Sequence, residues 1–202
     1  MIREQLVPRG IIDPAVIAAI EAVPRHLFVE DALQGQAYGD FSLPIGDGQT
    51  ISQPFVVGLM TQALHLSGRE RVLEIGTGCG YQTAILSMLC DKVYTVERVK
   101  PLFIKARRNF DQLHYLNIIC KFDDGTVGWA AHAPYDAIIV TAAGPAVPES
   151  LLAQLADPGI MVIPVGSRAS QTLKLLKKKD GIVSEEDMEN VRFVKLIGRE
   201  GW

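Results

Sequence analysis

From Arg71 onward the apolar positions of this chain fall into short runs, most of them followed by a stretch of mixed polarity with room for a helix. Strands are predicted at 71–75, 92–97, 117–121, 135–141 and 159–164, and helices at 81–89, 99–113 and 148–155. Such alternation is the pattern of a doubly wound, mostly parallel α/β sheet. The last apolar runs, Thr172–Lys178 and Val191–Ile197, have no long helix between them and are predicted to form an antiparallel pair at one edge. The basic run Lys177–Lys179 leads into Asp180-Gly181, which predicts a hairpin turn with solvated lysines. Ligands of doubly wound sheets bind beyond the carboxyl ends of the strands. Gly76, Glu97, Asp124 and Thr141 each end or follow a predicted strand, so they should line one rim.

Residues 1–66 read differently, as a helical N-terminal extension to a core spanning 67–202. Asp13-Pro14 is an N-cap followed by proline at the first helical position, opening a helix from Ala15 to Ala22 that Pro24 stops. Tyr38 to Gln53 is rich in Gly, Pro, Asp and Ser and is predicted as an irregular loop. A helix from Pro54 to Leu64 follows, and Ser52 before Gln53-Pro54 suits a helix cap.

Composition narrows the function classes. A chain of 202 residues with 48% hydrophobic positions suits one domain with a sizeable core. The longest apolar runs are interrupted by charges and glycines, so no transmembrane helix is predicted, and acid and proline near the N-terminus disfavour a signal peptide. The formal net charge of −3 disfavours nucleic acid as the main partner. Cys79, Cys90 and Cys120 form no C-x-x-C pair, which points to a reducing compartment, the cytoplasm. Cys90 and Cys120 read as core, whereas Cys79 is expected to be reachable before a ligand binds. His26, His65, His114 and His132 show no metal-ligand spacing, so no metal site is expected.

The most informative stretch is R-V-L-E-I-G-T-G-C-G-Y-Q, Arg71 to Gln82. A strand ends in Glu74-Ile75, Gly76, Gly78 and Gly80 alternate after it, and a helix follows. That arrangement brings bare backbone beside a ligand. Glu97 ends the next strand, 23 residues after Glu74, where an acid can accept from both hydroxyls of a ribose. Dinucleotide sites use G-x-G-x-x-G, but here Tyr81 stands where the third glycine belongs. The E-x-G-x-G-x-G spacing resembles that of S-adenosylmethionine (SAM) enzymes, whose ligand carries no pyrophosphate. A rival reading makes the glycines a mere turn, Glu97 a surface acid paired with Arg98 or Lys100, and Asp123-Asp124-Gly125 a simple turn.

L-P-I-G-D-G-Q-T-I-S-Q-P (Leu43–Pro54), V-L-E-I-G-T-G-C-G-Y-Q-T-A and Y-D-A-I-I-V-T-A-A together resemble the protein-L-isoaspartate O-methyltransferase family. The likeness runs from Ala22–Val29 to Val191–Val194. It implies a Rossmann-like SAM-dependent methyltransferase fold and methyl transfer from SAM to the α-carboxylate of L-isoaspartyl residues, with S-adenosylhomocysteine as product. The methyl ester then closes to a succinimide, whose hydrolysis returns part of the pool to aspartate. Matched by position, the resemblance makes Ser52, within the loop 43–54, the catalytic residue. It places Glu74, Gly76, Thr77, Gly78, Gly80, Glu97, Asp124 and Gly125 at the cofactor, with Glu74 fixing the glycine loop through backbone N–H groups and Asp124 meeting the adenine. Ile51, Thr141 and Val194 would border the substrate. The implied partners are isoaspartyl proteins and peptides, and a monomer is expected.

Three positions depart from the family pattern: Cys79 where serine is usual, Asp123 in place of the first glycine of G-D-G, and Lys195 in place of a proline. None removes a group the chemistry needs. A carboxylate with a pKa near 4 is ionised at neutral pH and needs no general base. Alignment of oxygen, methyl and sulfur can supply about 7–11 kcal/mol. Two alternatives stay open: a SAM enzyme acting on RNA or a small molecule, and a SAM-binding module without activity.

Overall fold

A computed structural model describes all 202 residues. The N-terminal part contributes α1 (Pro14–Ala22), a small hairpin of β1 (Leu43–Gly46) and β2 (Gln49–Ile51), and α2 (Pro54–Ala63). The Asp13 side chain caps α1 by accepting from the Ala15 and Val16 amides at 2.8 and 3.3 Å. Then follow β3 (Arg71–Ile75), α3 (Tyr81–Ser87), β4 (Lys92–Glu97), α4 (Lys100–Gln112), β5 (Ile118–Phe122), β6 (Tyr135–Val140), α5 (Glu149–Gln154) and β7 (Leu155–Gly166). The chain closes with β8 (Gln171–Lys179) and β9 (Ile182–Val191).

Seven strands form one sheet in the order β5-β4-β3-β6-β7-β8-β9. Those from β3 to β7 are parallel, β8 runs against β7, and β9 runs against β8. The order steps outward from β3 to β5 on one side and from β6 to β9 on the other. The carboxyl ends of β3 and β6 therefore flank the switch point at which such sheets bind ligands.

Alternate residues of each strand go to opposite faces. Leu73, Ile75, Tyr94, Val96, Ile138 and Val140 pack with Leu151 of α5, Leu155 and Leu196. Val72, Val93, Ala137 and Ile139 pack against Met60 and Ala63 of α2 and Leu86 of α3. The N-terminal segment shares a further cluster with α3 and α4, in which Leu6, Ile20, Phe28 and Phe55 meet Tyr81, Ile85 and Leu102. Gln49, Thr50, Ile51 and Ser52 line one cleft together with Gly76, Thr77 and Gly78 of the rim. No helix is long and apolar enough to cross a membrane.

Two expectations need correction. Within the stretch predicted as irregular, Leu43, Ile45 and Ile51 are buried and β1 pairs with β2. Gly46, Asp47 and Gly48, at φ of 97°, 51° and 70°, make the left-handed turn between them. The partner of β8 is Ile182–Val191, not Val191–Ile197. That segment, I-V-S-E-E-D-M-E-N-V, lies at the sheet edge and is largely exposed, so charge hides its strand character. The Asp180-Gly181 turn forms as expected, with φ of 53° and 75°. Residues 194–196 instead run beside Ala143: Ala143 N–H donates to Val194 C=O, and Leu196 N–H donates to Ala143 C=O, both at 2.8 Å.

Candidate active site

The glycine loop leaves β3 at the switch point. Gly76 has φ of 93°, and a Cβ there would collide with Thr141 Oγ1 at the end of β6. Thr141 Oγ1 donates toward the main-chain oxygens of Ile75 and Gly76, at 3.0 and 2.6 Å, stitching the two strand ends together. Gly78 also needs the left-handed region, at φ of 56°. Glu97, 5% exposed, accepts from Gly78 N–H through one carboxylate oxygen and from Val99 N–H through the other, each at 2.8 Å. It forms no ion pair with Arg98 or Lys100. Each oxygen keeps lone-pair capacity toward the cleft.

Glu74 does not hold the loop by its backbone amides. Its side chain is wholly buried on the α3 face of the sheet, where it accepts from Thr83 and Thr95 hydroxyls at 2.5 and 2.6 Å. Thr95 is hydrogen-bonded in turn to Thr77, which lines the cleft. Burial pushes the Glu74 carboxyl up to about 8, against the two hydroxyl bonds, and the charge of Glu97 adds to the rise. Glu74 Oε1 has no partner, an arrangement a neutral carboxyl tolerates better than an anion.

Gly80 also stands back from the cleft wall. It caps α3 at φ of 91°, and a Cβ there would meet the Phe110 ring of α4. The Asp124 carboxylate accepts from Thr126 N–H at 2.9 Å, from Thr126 Oγ1 at 2.7 Å and from Arg199 N–H at 2.8 Å. It thus ties the C-terminal segment to the rim and borders a side opening with Arg98, Ile197 and Gly198. Gly125 lies on the cleft wall, pressed onto Ile75 so closely that a Cβ would strike it.

The opposite wall comes from loop 47–53 and the C-terminal run. Ile51 is buried against it, and Ser52 follows. Ser52 is not the helix cap: that position is Gln53, and no side chain caps α2. Two clefts meet here. The inner one is lined by Gly76, Thr77, Gly78, Glu97 and Gly125; the outer one lies between Asp40–Phe41 and residues 189–194. Thr50, Ser52, Thr141 and Val194 line both.

A family model described as protein-L-isoaspartate(D-aspartate) O-methyltransferase matches residues 1–201. The chain belongs to this family. A relative from Geotalea uraniireducens, named protein-L-isoaspartate O-methyltransferase 2, is 57% identical over the whole chain and 94% of its own length. One from Geobacter metallireducens is 55% identical with the same coverage. A solved protein-L-isoaspartate O-methyltransferase superposes with a TM-score of 0.89 at 30% identity over 96% of this chain, which spans 64% of that longer one. A putative family enzyme from Plasmodium falciparum, solved with S-adenosyl-L-homocysteine, gives 0.82 at 26% identity, covering 95% of this chain and 94% of its own.

Family membership does not make Cys79 reactive. It is 3% exposed, and burial raises its thiol to about 11, so the exposure expected from the loop sequence is corrected. The inner cleft also takes Gln49, Gln82, Arg98, Leu196 and Ile197, none of which the sequence singled out. The available signal for the last two was the glycine pair Gly198 and Gly201, which lets the tail fold back on Asp124 and Leu196. No three His, Cys, Asp or Glu side chains stand together in a way that could hold a metal ion.

Proposed function

We propose that this chain transfers a methyl group from SAM to the α-carboxylate of L-isoaspartyl residues in proteins and peptides. The observation that carries the reading is the shared lining: Ser52, Thr141 and Val194 each line both the cleft of the glycine loop and the adjoining groove. Such a junction suits a reaction between a small molecule held in one cavity and a chain lying in the other.

The inner cleft fits SAM. Glu97 presents carboxylate oxygens at the end of β4, where a ribose diol can donate to them. Gly76 and Gly125 line this cleft with bare main chain, packed onto Thr141 and Ile75 where a Cβ would collide. When bound, SAM supplies an electrophilic methyl on a sulfonium that is a good leaving group. The chain has to bind it, exclude water and hold the incoming carboxylate in line. That carboxylate is already ionised, so no base is required. Ser52, free of a capping role, has a hydroxyl available to donate to the carboxylate from the shared wall. Thr141 is held at the end of β6 through its bonds to Ile75 and Gly76.

The outer groove suits an extended peptide. It is bounded by Arg9, Asp40 and Phe41 on one side and by Arg192 to Val194 on the other. Three unpaired cysteines support a reducing compartment, the cytoplasm.

The test is labelled SAM with an isoaspartyl peptide and its aspartyl twin. The two differ only in where one methylene sits. Base-labile methyl ester on the isoaspartyl peptide alone is expected; equal labelling of both would reject repair as the function.

A further inference from the structure

Arg25 is the only fully buried lysine or arginine, with 0% of its surface exposed, in the turn Arg25–Phe28 after Pro24. A buried guanidinium calls for a carboxylate partner, and none pairs with it. Its bonds go to main-chain oxygens instead. Nε donates to Ala37 C=O at 2.7 Å and Nη2 donates to Ser52 C=O at 2.8 Å. The guanidinium lies 4.8 Å over the Tyr81 ring, and Tyr81 borders the inner cleft. Two polar groups here have no partner: Arg25 Nη1 and the Tyr81 hydroxyl.

The position of Ser52 explains why such a cation is useful. The β1–β2 ladder ends at Ile51 and α2 begins at Pro54. Ser52 therefore belongs to neither element, and its main-chain oxygen is held by Arg25 alone among side chains. A planar guanidinium bonded to two carbonyls fixes direction as well as distance, which an ammonium cannot do. Burial pulls the Arg25 pKa below its ordinary value, yet guanidinium stays protonated at neutral pH. The cost of an unpaired buried cation is offset when an anion docks nearby, and the reaction brings one to Ser52.

We propose that Arg25 is a positioning residue for methyl transfer: it fixes the Ser52 main chain from the buried side and sets a positive charge behind the point where the substrate carboxylate docks. This inference rests on Ser52 being the residue that aligns the carboxylate.

The test compares Arg25→Lys, Ser52→Ala and the double variant for melting temperature, SAM affinity by calorimetry, and kcat and KM with an isoaspartyl peptide. Lysine keeps the charge but cannot clamp two carbonyls. Arg25→Lys should lower kcat at least about tenfold, since small misplacements near a reacting centre are costly. SAM affinity should stay within about twofold, and the double variant should be no slower than Ser52→Ala, because both act through one group. Arg25→Met also removes the charge and should raise the peptide KM beyond that of Arg25→Lys; it is read only where its melting transition is intact. A lower melting temperature with full kcat in Arg25→Lys, or additive losses in the double variant, would overturn the inference. The two claims fail separately: a slow Ser52→Ala beside a normal Arg25→Lys rejects Arg25 alone, whereas a normal Ser52→Ala rejects the Ser52 assignment and this inference with it.

Discussion

On the rim side of the cleft, the groups facing a ligand are held by parallel ladders. Gly76 N–H donates to Val96 C=O, Thr141 N–H donates to Ile75 C=O, and Glu97 ends β4 with both oxygens bonded to main chain. Across the cleft, Ser52 lies between elements and Val194 lies beyond the last strand. These are held by tethers from distant residues: Arg25 to Ser52, Ala143 to Val194, and Gln53 Nε2 to Asp40 C=O at 3.0 Å. The rim is thus a product of sheet geometry, tolerant of most changes except a Cβ at a glycine. The loop side depends on a few long-range bonds. Cofactor binding and substrate alignment should therefore be separable by mutation.

The largest effect is expected on the loop side. Ser52→Ala should lower kcat about 100-fold, the scale on which misalignment acts, with SAM affinity and melting temperature unchanged; calorimetry and peptide kinetics on one preparation check this. On the rim, Glu97→Ala should weaken SAM by about 1.5–3 kcal/mol, as for hydrogen bonds to a charged group, and should also free Gly78. An unchanged calorimetric affinity would take Glu97 out of the cofactor site. Asp124→Ala removes the acceptor for Arg199 N–H and the Thr126 pair. Net hydrogen bonds of this kind contribute roughly 1 kcal/mol each. The C-terminal segment should loosen, visible as faster amide exchange at Arg199 and Glu200, with a smaller loss of SAM affinity than for Glu97→Ala.

At neutral pH the smallest effect belongs to Glu74→Gln, because the native carboxyl is largely protonated already. Its raised value, about 8 against an ordinary 4.5, fixes the sign. Between those two values the unfolded chain has released this proton and the folded chain has not, so wild-type stability falls as pH rises. Glu74→Gln should flatten that part of the profile and gain relative to wild type toward pH 8. Denaturation midpoints at pH 5 and pH 8 that shift in parallel for both proteins would contradict a neutral Glu74.

The same contrast decides what the sequence disclosed. The strands β3 to β7 and the glycine loop were legible because short continuous apolar runs alternating with helical stretches, and closely spaced glycines, have few other uses. The loop side was legible only through T-I-S-Q-P and its resemblance; spacing alone left Ser52 as a cap, whereas the N-cap position falls on Gln53 and no side chain caps α2. Strand β9 was missed because an exposed edge strand must carry charge. Glu74 and Glu97 look alike in sequence, each an acid in the last part of an apolar strand. Only the structure shows that one turns inward to two threonine hydroxyls while the other turns to the glycine loop. Arg25 was hidden in the apolar run A-V-P-R-H-L-F-V, where one charge gives no hint of partners at Ala37 and Ser52.

The division of labour between rim and loop is tested most directly by Ser52→Asp. The substitution changes no ladder and removes no cap, so folding and SAM binding should survive. The new carboxylate would repel the substrate carboxylate at the shared wall, so methyl transfer should be lost. Melting temperature, calorimetric SAM affinity and transfer to the isoaspartyl peptide are measured on the same preparation. The account predicts a folded, SAM-binding protein without transferase activity; near-normal transfer would contradict it.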